Sequence, residues 1–231
     1  MPNNTETVRC VVMQQLENVI IEAAELYRES DSHVSELSYY KALERMAKAG
    51  ELVHLAKGMY YRPRKSRFGT VPISEKEIIS YFTADNRGLI IGYRLYVNKG
   101  LTTQVSRKAE VLSVSVREQK KNVSNVVVSR IDMKLNPTIK KTVEAFEVLQ
   151  NYNSIQDLNT SAFANYMNQF AEDYSDETAE YVIAHRKYKK STIAFMKKCM
   201  DILGVPCGLG MYLSPLSEYK IPSVEEIHAA T

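Results

Sequence analysis

This chain has no tryptophan and only three cysteines, Cys10, Cys199 and Cys207, in 231 residues. An odd set with no Cys-x-x-Cys pair and no Cys/His spacing suited to zinc excludes a disulfide framework and a structural zinc site. Three free thiols suit a reducing, cytoplasmic setting. Long apolar runs are missing as well. No stretch approaches the roughly 20 apolar residues of a membrane span, and no basic segment leads into an apolar one near Met1, so neither a membrane nor a secretory route is expected. An excess of one charge is also lacking. Thirty Lys and Arg face 27 Asp and Glu, a formal charge of +3, so any basic surface must come from local clustering.

The chemistry of an enzyme is equally thin. His33, His54, His185 and His228 are scattered without partners. Asp173, Asp176 and Glu177 form an acidic cluster that could suggest a metal, but Ser175 among them reads better as a helix N-cap with acids in the first turn. The glycines of "GVPCGLG", residues 204–210, lack the Lys-Ser/Thr of a phosphate loop and the spacing of a dinucleotide fingerprint, and read as a helix stop and turn. Nothing near Cys207 argues for a lowered thiol pKa. We expect no catalytic residue, no cofactor and no metal.

The sequence does hold a core, 45 % of it being hydrophobic, enough for one large domain or two small ones. Val8, Val11, Val12 and Leu16 share one face of a helix expected over about 6–18, Val19 to Ile21 suit a short strand, and a brief second helix follows over 22–28. Ser30-Asp31-Ser32 supplies N-cap candidates for a third helix, 33–49. There Tyr39, Ala42, Leu43, Met46 and Ala47 fall on one side, and Ser38, Lys41, Arg45 and Lys48 on the other. Gly50 is a C-terminal stop. Leu52 to Leu55 and Met59-Tyr60-Tyr61 then read as two strands turning at Lys57-Gly58. Helix, helix, helix, hairpin is the order of a winged helix-turn-helix.

Such a fold sets its second, recognition helix in the major groove, which needs an apolar side for the scaffold and a polar side for base edges and phosphates. Helix 33–49 has both. The hairpin after it carries Lys57, Arg62, Arg64, Lys65 and Arg67 with no acid among them, a positive strip suited to phosphate. Ser35, Ser38 and Tyr40 add hydroxyls, and Lys41, Arg45 and Lys48 add charge on the helix. The same pattern also suits an ordinary solvated helix and a basic linker, and winged folds serve as protein-docking modules too.

The stretch "YYKALERMAKAGELVHLAKGMYYRP" resembles the signature of the AbiEi-type (abortive-infection) antitoxins and their close relatives. The carrying residues are Lys41-Ala42-Leu43, Arg45-Met46, Gly50, Lys57-Gly58, Tyr60-Tyr61 and Pro63. "SRFGTVPISEKEI", 66–78, is similar to the family's passage from its winged domain into the next helix. "GLTTQVSRKAEVLSVSV", 100–116, resembles its G-L-[ST]-T-Q-V-P stretch and following strand, with Ser106 where proline is usual. The likeness covers about residues 8–150. It implies a cytoplasmic antitoxin that represses its own promoter through double-stranded DNA. It also implies a nucleotidyltransferase-like toxin as functional partner, opposed without a stable complex.

The remainder reads as mixed α/β and then mostly helical. Ser74 and Glu77 fit a capping box opening a helix over 75–83. Leu89 to Ile91 reads as a strand, and 110–131 as a hairpin turning at Lys120-Lys121-Asn122. Asn136-Pro137 opens a helix with Ile139, Val143, Phe146 and Leu149 in phase, and the pattern stays helical to Leu203. A second basic run, "HRKYKK" at 185–190, is either a further phosphate contact or a solvated face before Ser191 caps the last helix. Tyr181 and Tyr188 suit core-edge packing. Ser223 to Ile227 suggests a last short helix.

The expected fold class is therefore α+β: a winged helix-turn-helix domain over 1–67 and a second domain over 68–231, helical from about 137. Three functions fit, namely an antitoxin and autorepressor, a stand-alone regulator whose C-terminal domain senses a ligand or dimerises on DNA, and a winged protein-interaction module.

Overall fold

The computed structural model of the chain describes residues 4–30 and 34–223. His33, His228, the expected caps Asp31 and Ser32, and nearly all of the suggested helix after Ser223 lie outside them. The fold is α+β and divides into two compact units. The first holds residues 1–81 with 122–126, so it runs past the boundary expected at 67, and the second holds 82–121 and 127–231.

In the first unit, helix α1 (Asn4–Met13) leads to strand β1 (Ile20–Glu22), helix α2 (Ala23–Glu29) and helix α3 (Glu36–Lys48). α1 ends earlier than its apolar pattern suggests, leaving Leu16 73 % exposed. Strands β2 (Val53–Ala56) and β3 (Met59–Tyr61) follow, and β1, β3 and β2 form an antiparallel sheet in that order. β3 lies in the middle of the sheet and all three of its residues are buried. One core joins Val8 and Val12 of α1, Ile21, Leu26, the apolar face of α3, Leu52 and Tyr60.

A second hairpin comes next. Strands β4 (Arg64–Ser66) and β5 (Gly69–Val71) pair antiparallel in a sheet of their own, where one hairpin was expected to carry the whole basic strip. Helix α4 (Glu75–Thr83) begins at the expected capping box. The Ser74 amide donates to the Glu77 carboxylate at 2.6 Å, and the Glu77 amide donates to Ser74 Oγ at 3.2 Å. Those bonds hold the Glu77 carboxyl below the usual carboxylate range.

The second unit opens with strand β6 (Gly88–Ile91), helix α5 (Gly92–Asn98) and strand β7 (Ala109–Ser113). Only glycine fits at 88, where a Cβ would stand 2.3 Å from the Leu112 carbonyl oxygen and 2.4 Å from that of Phe82. Strands β8 (Lys120–Val123) and β9 (Val126–Arg130) complete a four-stranded sheet ordered β6-β7-β9-β8. Lys120 and Lys121 therefore sit within a strand, and the hairpin turns at Ser124-Asn125, with Ser124 at φ 54°. The expected single hairpin over 110–131 is in fact a strand followed by a hairpin.

Helix α6 (Pro137–Asn151) starts at Asn136, whose side chain accepts the Ile139 amide at 2.8 Å, with Pro137 in the first turn. Val143, Phe146 and Leu149 are buried. Around α6 pack helices α7 (Thr160–Glu172), α8 (Asp176–His185) and α9 (Lys190–Ile202). Ser175 caps α8 through the Thr178 amide at 3.2 Å. α9 starts one residue before Ser191, with Lys189 at its N-cap.

Candidate nucleic-acid interface

The outward side of α3 is set by its inward side. Burying Tyr39, Ala42, Leu43 and Met46 leaves Lys41, Arg45 and Lys48 exposed on the opposite face. At the N-terminus Ser35 is the cap. Its Oγ accepts the Ser38 amide at 3.4 Å and donates to Ser38 Oγ at 2.9 Å, so both hydroxyls serve the first turn. Tyr40 is half-buried and sets its ring edge-on to Tyr39 at 5.6 Å, at the margin of the core. Arg45 donates to Thr5 Oγ1 at 3.2 Å.

The end of α3 is equally defined. Gly50, at φ 73°, donates to the Ala47 carbonyl at 3.1 Å while Glu51 donates to Met46 at 3.0 Å, a left-handed C-terminal motif that only glycine adopts without strain. Arg9 grips Glu51 with two guanidinium nitrogens, one at 2.7 Å, which ties α1 to that turn and raises the arginine's pKa.

The basic strip divides between the two hairpins. Lys57 is exposed at the β2–β3 turn, with Gly58 at φ 71°. Arg62 turns back to the scaffold: its guanidinium donates to the Met13 carbonyl at 2.8 Å and also to the Gln15 carbonyl, closing the end of α1. Arg64, Lys65 and Arg67 are exposed on the β4–β5 hairpin, and with Lys57, Lys41 and Lys48 they form no ion pair among the described residues. Between Glu51 and Glu75 the chain holds five bases and no acid. Residues 1–81 as a whole hold eleven of each, so the first unit is neutral and its charge is segregated.

At the tip of the second hairpin stands a residue that charge counting passes over. Phe68 is 86 % exposed, and the Arg67 guanidinium lies 4.7 Å from its ring centroid. The hairpin signal was present in the sequence, where a short polar strand meets Phe-Gly and Gly69 takes φ 111°. Exposed apolar surface at the tip of a basic hairpin can stack on a base or dock against a partner.

The second basic run behaves differently. Arg186 and Tyr188 of "HRKYKK" turn inward: Arg186 Nε donates to Glu147 at 2.8 Å, Glu147 is 4 % exposed, and the Tyr188 ring stacks on Phe146 at 4.7 Å. His185, Lys187, Lys189 and Lys190 stay exposed, so the run is solvated on one side only. His54 packs against Tyr60 with the rings tilted, 5.1 Å between centroids, and His185 Nδ1 bonds the Tyr181 carbonyl at 2.8 Å. Burial pushes the Cys199 thiol up to about 12 and raises Cys207. Among the described residues no His/Cys/Asp/Glu group could hold a metal ion, and no helix is long and apolar enough to cross a membrane.

No model of a known protein family matches the chain, and no curated protein is similar to it at a significant level.

Proposed function

We propose that this protein binds double-stranded DNA through α3 and the two hairpins that follow it, and acts as a transcriptional autorepressor. The observation that carries the reading is the segregation of charge: Lys57, Arg64, Lys65 and Arg67 are exposed and form no ion pair among the described residues, in a segment directly after a helix whose outward face carries Lys41, Arg45 and Lys48. Element order and the β1-β3-β2 sheet support a winged helix-turn-helix. Arg62, Ser35, Ser38 and Tyr40 hold that surface in place, and Lys and Arg on its rim meet phosphate.

The resemblance to AbiEi-type antitoxins supports a role as the antitoxin of a two-gene system in the cytoplasm, countering a nucleotidyltransferase-like toxin. Co-expression with such a neighbouring gene tests that part, and restored growth is the expected result.

Fluorescence anisotropy tests the DNA reading, comparing duplex DNA from upstream of the protein's own gene with scrambled duplex across a salt series. Tight binding to the upstream DNA is expected, with log K falling by about 0.9 per phosphate contact for each decade of salt. R64Q/K65Q/R67Q should weaken binding to both duplexes and flatten the salt slope. K41Q/R45Q should reduce the preference for the upstream DNA. A second reading, docking to a protein, is favoured by exposed Phe68. Equal weak binding to both duplexes, or none, would select it.

A further inference from the structure

A cavity of about 360 Å³ lies in the second unit, between the end of α6, the start of α9 and the segment around Lys220. This is within the small-ligand range of roughly 300–1,000 Å³. Its polar lining includes Lys189, Lys220, Gln150, Asn151 and Asn153, and the hydroxyl residues Ser154, Ser191 and Thr192. No described carboxylate lines it.

Two independent features aim this lining at an anion. The first is the start of α9, a 13-residue helix whose N-cap is Lys189, with no side-chain cap bond. Other helices here carry such an oxygen, from Ser35, Asn136, Asn159 or Ser175, while the short α2 and α5 also lack one. The positive end of the helix dipole and the Lys190 and Ser191 amides remain for an outside acceptor, the Thr192 amide donating to the Lys189 carbonyl at 2.9 Å. The second is Thr192. It is 3 % exposed and lines the cavity, yet its hydroxyl has no hydrogen-bond partner among the described residues. Its oxygen is open to the cavity, where a ligand can reach it.

The charges agree. Lys189 and Lys220 are exposed and make no ion pair among the described residues, whereas neighbouring Lys190 is tied to the Tyr212 carbonyl. Gln150 spends its side-chain oxygen on the Lys189 amide at 3.3 Å, which leaves its NH2 as a donor. Two ammonium groups, a helix start and several neutral donors match a doubly charged oxyanion with three or more acceptor oxygens better than a carboxylate.

We infer that this cavity binds a phosphate dianion, either free or as the terminal group of a small phosphomonoester. The site is built from residues of the second unit alone, so the inference does not rest on DNA binding by the first. The test is two-dimensional NMR of the full chain, titrated with inorganic phosphate and then with glycerol phosphate at an ionic strength held constant with chloride. Saturable shifts of the Lys190 and Ser191 amides are expected. K189Q/K220Q, which changes only exposed side chains, and T192V, which keeps the shape of the site, should each weaken binding by about tenfold or more. Equal affinities would identify free phosphate as sufficient, and tighter glycerol phosphate binding would identify an organic phosphate. Shifts no larger than chloride produces, or saturable shifts that K189Q/K220Q leaves unchanged, would overturn the inference.

Discussion

The chain contains two basic runs of similar density, "RPRKSR" at 62–67 and "HRKYKK" at 185–190, and the fold uses them in opposite ways. In the first, Arg64, Lys65 and Arg67 belong to a two-stranded hairpin that packs on no described core cluster, and all three stay in water. In the second, an extended link between two helices alternates its side chains, so Arg186 and Tyr188 turn inward while Lys187 and Lys189 turn out. Charge density along a sequence therefore does not say which charges a partner can reach. The period of the backbone and the presence of a neighbouring core decide it.

This contrast can be broken experimentally, beginning with the buried pair. R186A strands the Glu147 carboxylate in the interior and should cost about 3 kcal/mol in urea unfolding, since a buried charge without its partner is strongly destabilising. The double variant E147L/R186M should recover most of that loss, because it removes both charges and keeps apolar volume. An R186A protein as stable as the parent would show that the inward turn of "HRKYKK" contributes nothing to the fold.

Within the first run, Arg62 is the exception that sharpens the comparison. R62A frees the carbonyls at the end of α1 and should cost about 1 kcal/mol, measured as a lower unfolding midpoint at unchanged m-value.

A local change follows in size. S74A removes half of the capping box of α4 and should cost about 1 kcal/mol or slightly less. Because the folded state lowers the Glu77 pKa, the stabilisation from that carboxylate is fully present above its unfolded value. It is lost as pH falls through the lowered folded value. The difference between S74A and the parent should thus shrink on acidification, as read from unfolding midpoints at pH 7 and near pH 3. The smallest effect is expected for R64Q/K65Q/R67Q, within about 0.5 kcal/mol of the parent, and the consequence of that variant is expected in DNA binding instead.

How much of this was legible in advance depends on how far apart the cooperating residues lie. The face of α3, the Gly50 stop, the Ser74/Glu77 box, the Asn136-Pro137 start and the Ser175 cap each involve residues within a few positions of one another, and all were readable. The β4–β5 hairpin was hidden by its own charge, which reads as linker, although Phe68-Gly69 signalled a turn. The strand containing Lys120 and Lys121 reads as a turn because its polar residues outnumber its apolar ones. α5 carries too few residues for a period to show. The exposure of Phe68 has no signature in the sequence, because it depends on the hairpin tip standing clear of any core.

By itself the sequence determined the local pieces: which segments are helical, where they are capped, which side of each is apolar and where bases cluster without acids. Only the tertiary structure decided the fate of individual charges and donors. Arg62 reaches a carbonyl 49 residues away, Arg186 a carboxylate 39 residues away, and Thr192 is left facing a cavity closed in part by Lys220. The physical reason is range. Caps and helix faces arise from neighbours along the chain, whereas the exposure of a charge or a hydroxyl depends on which distant segments the apolar cores bring beside it.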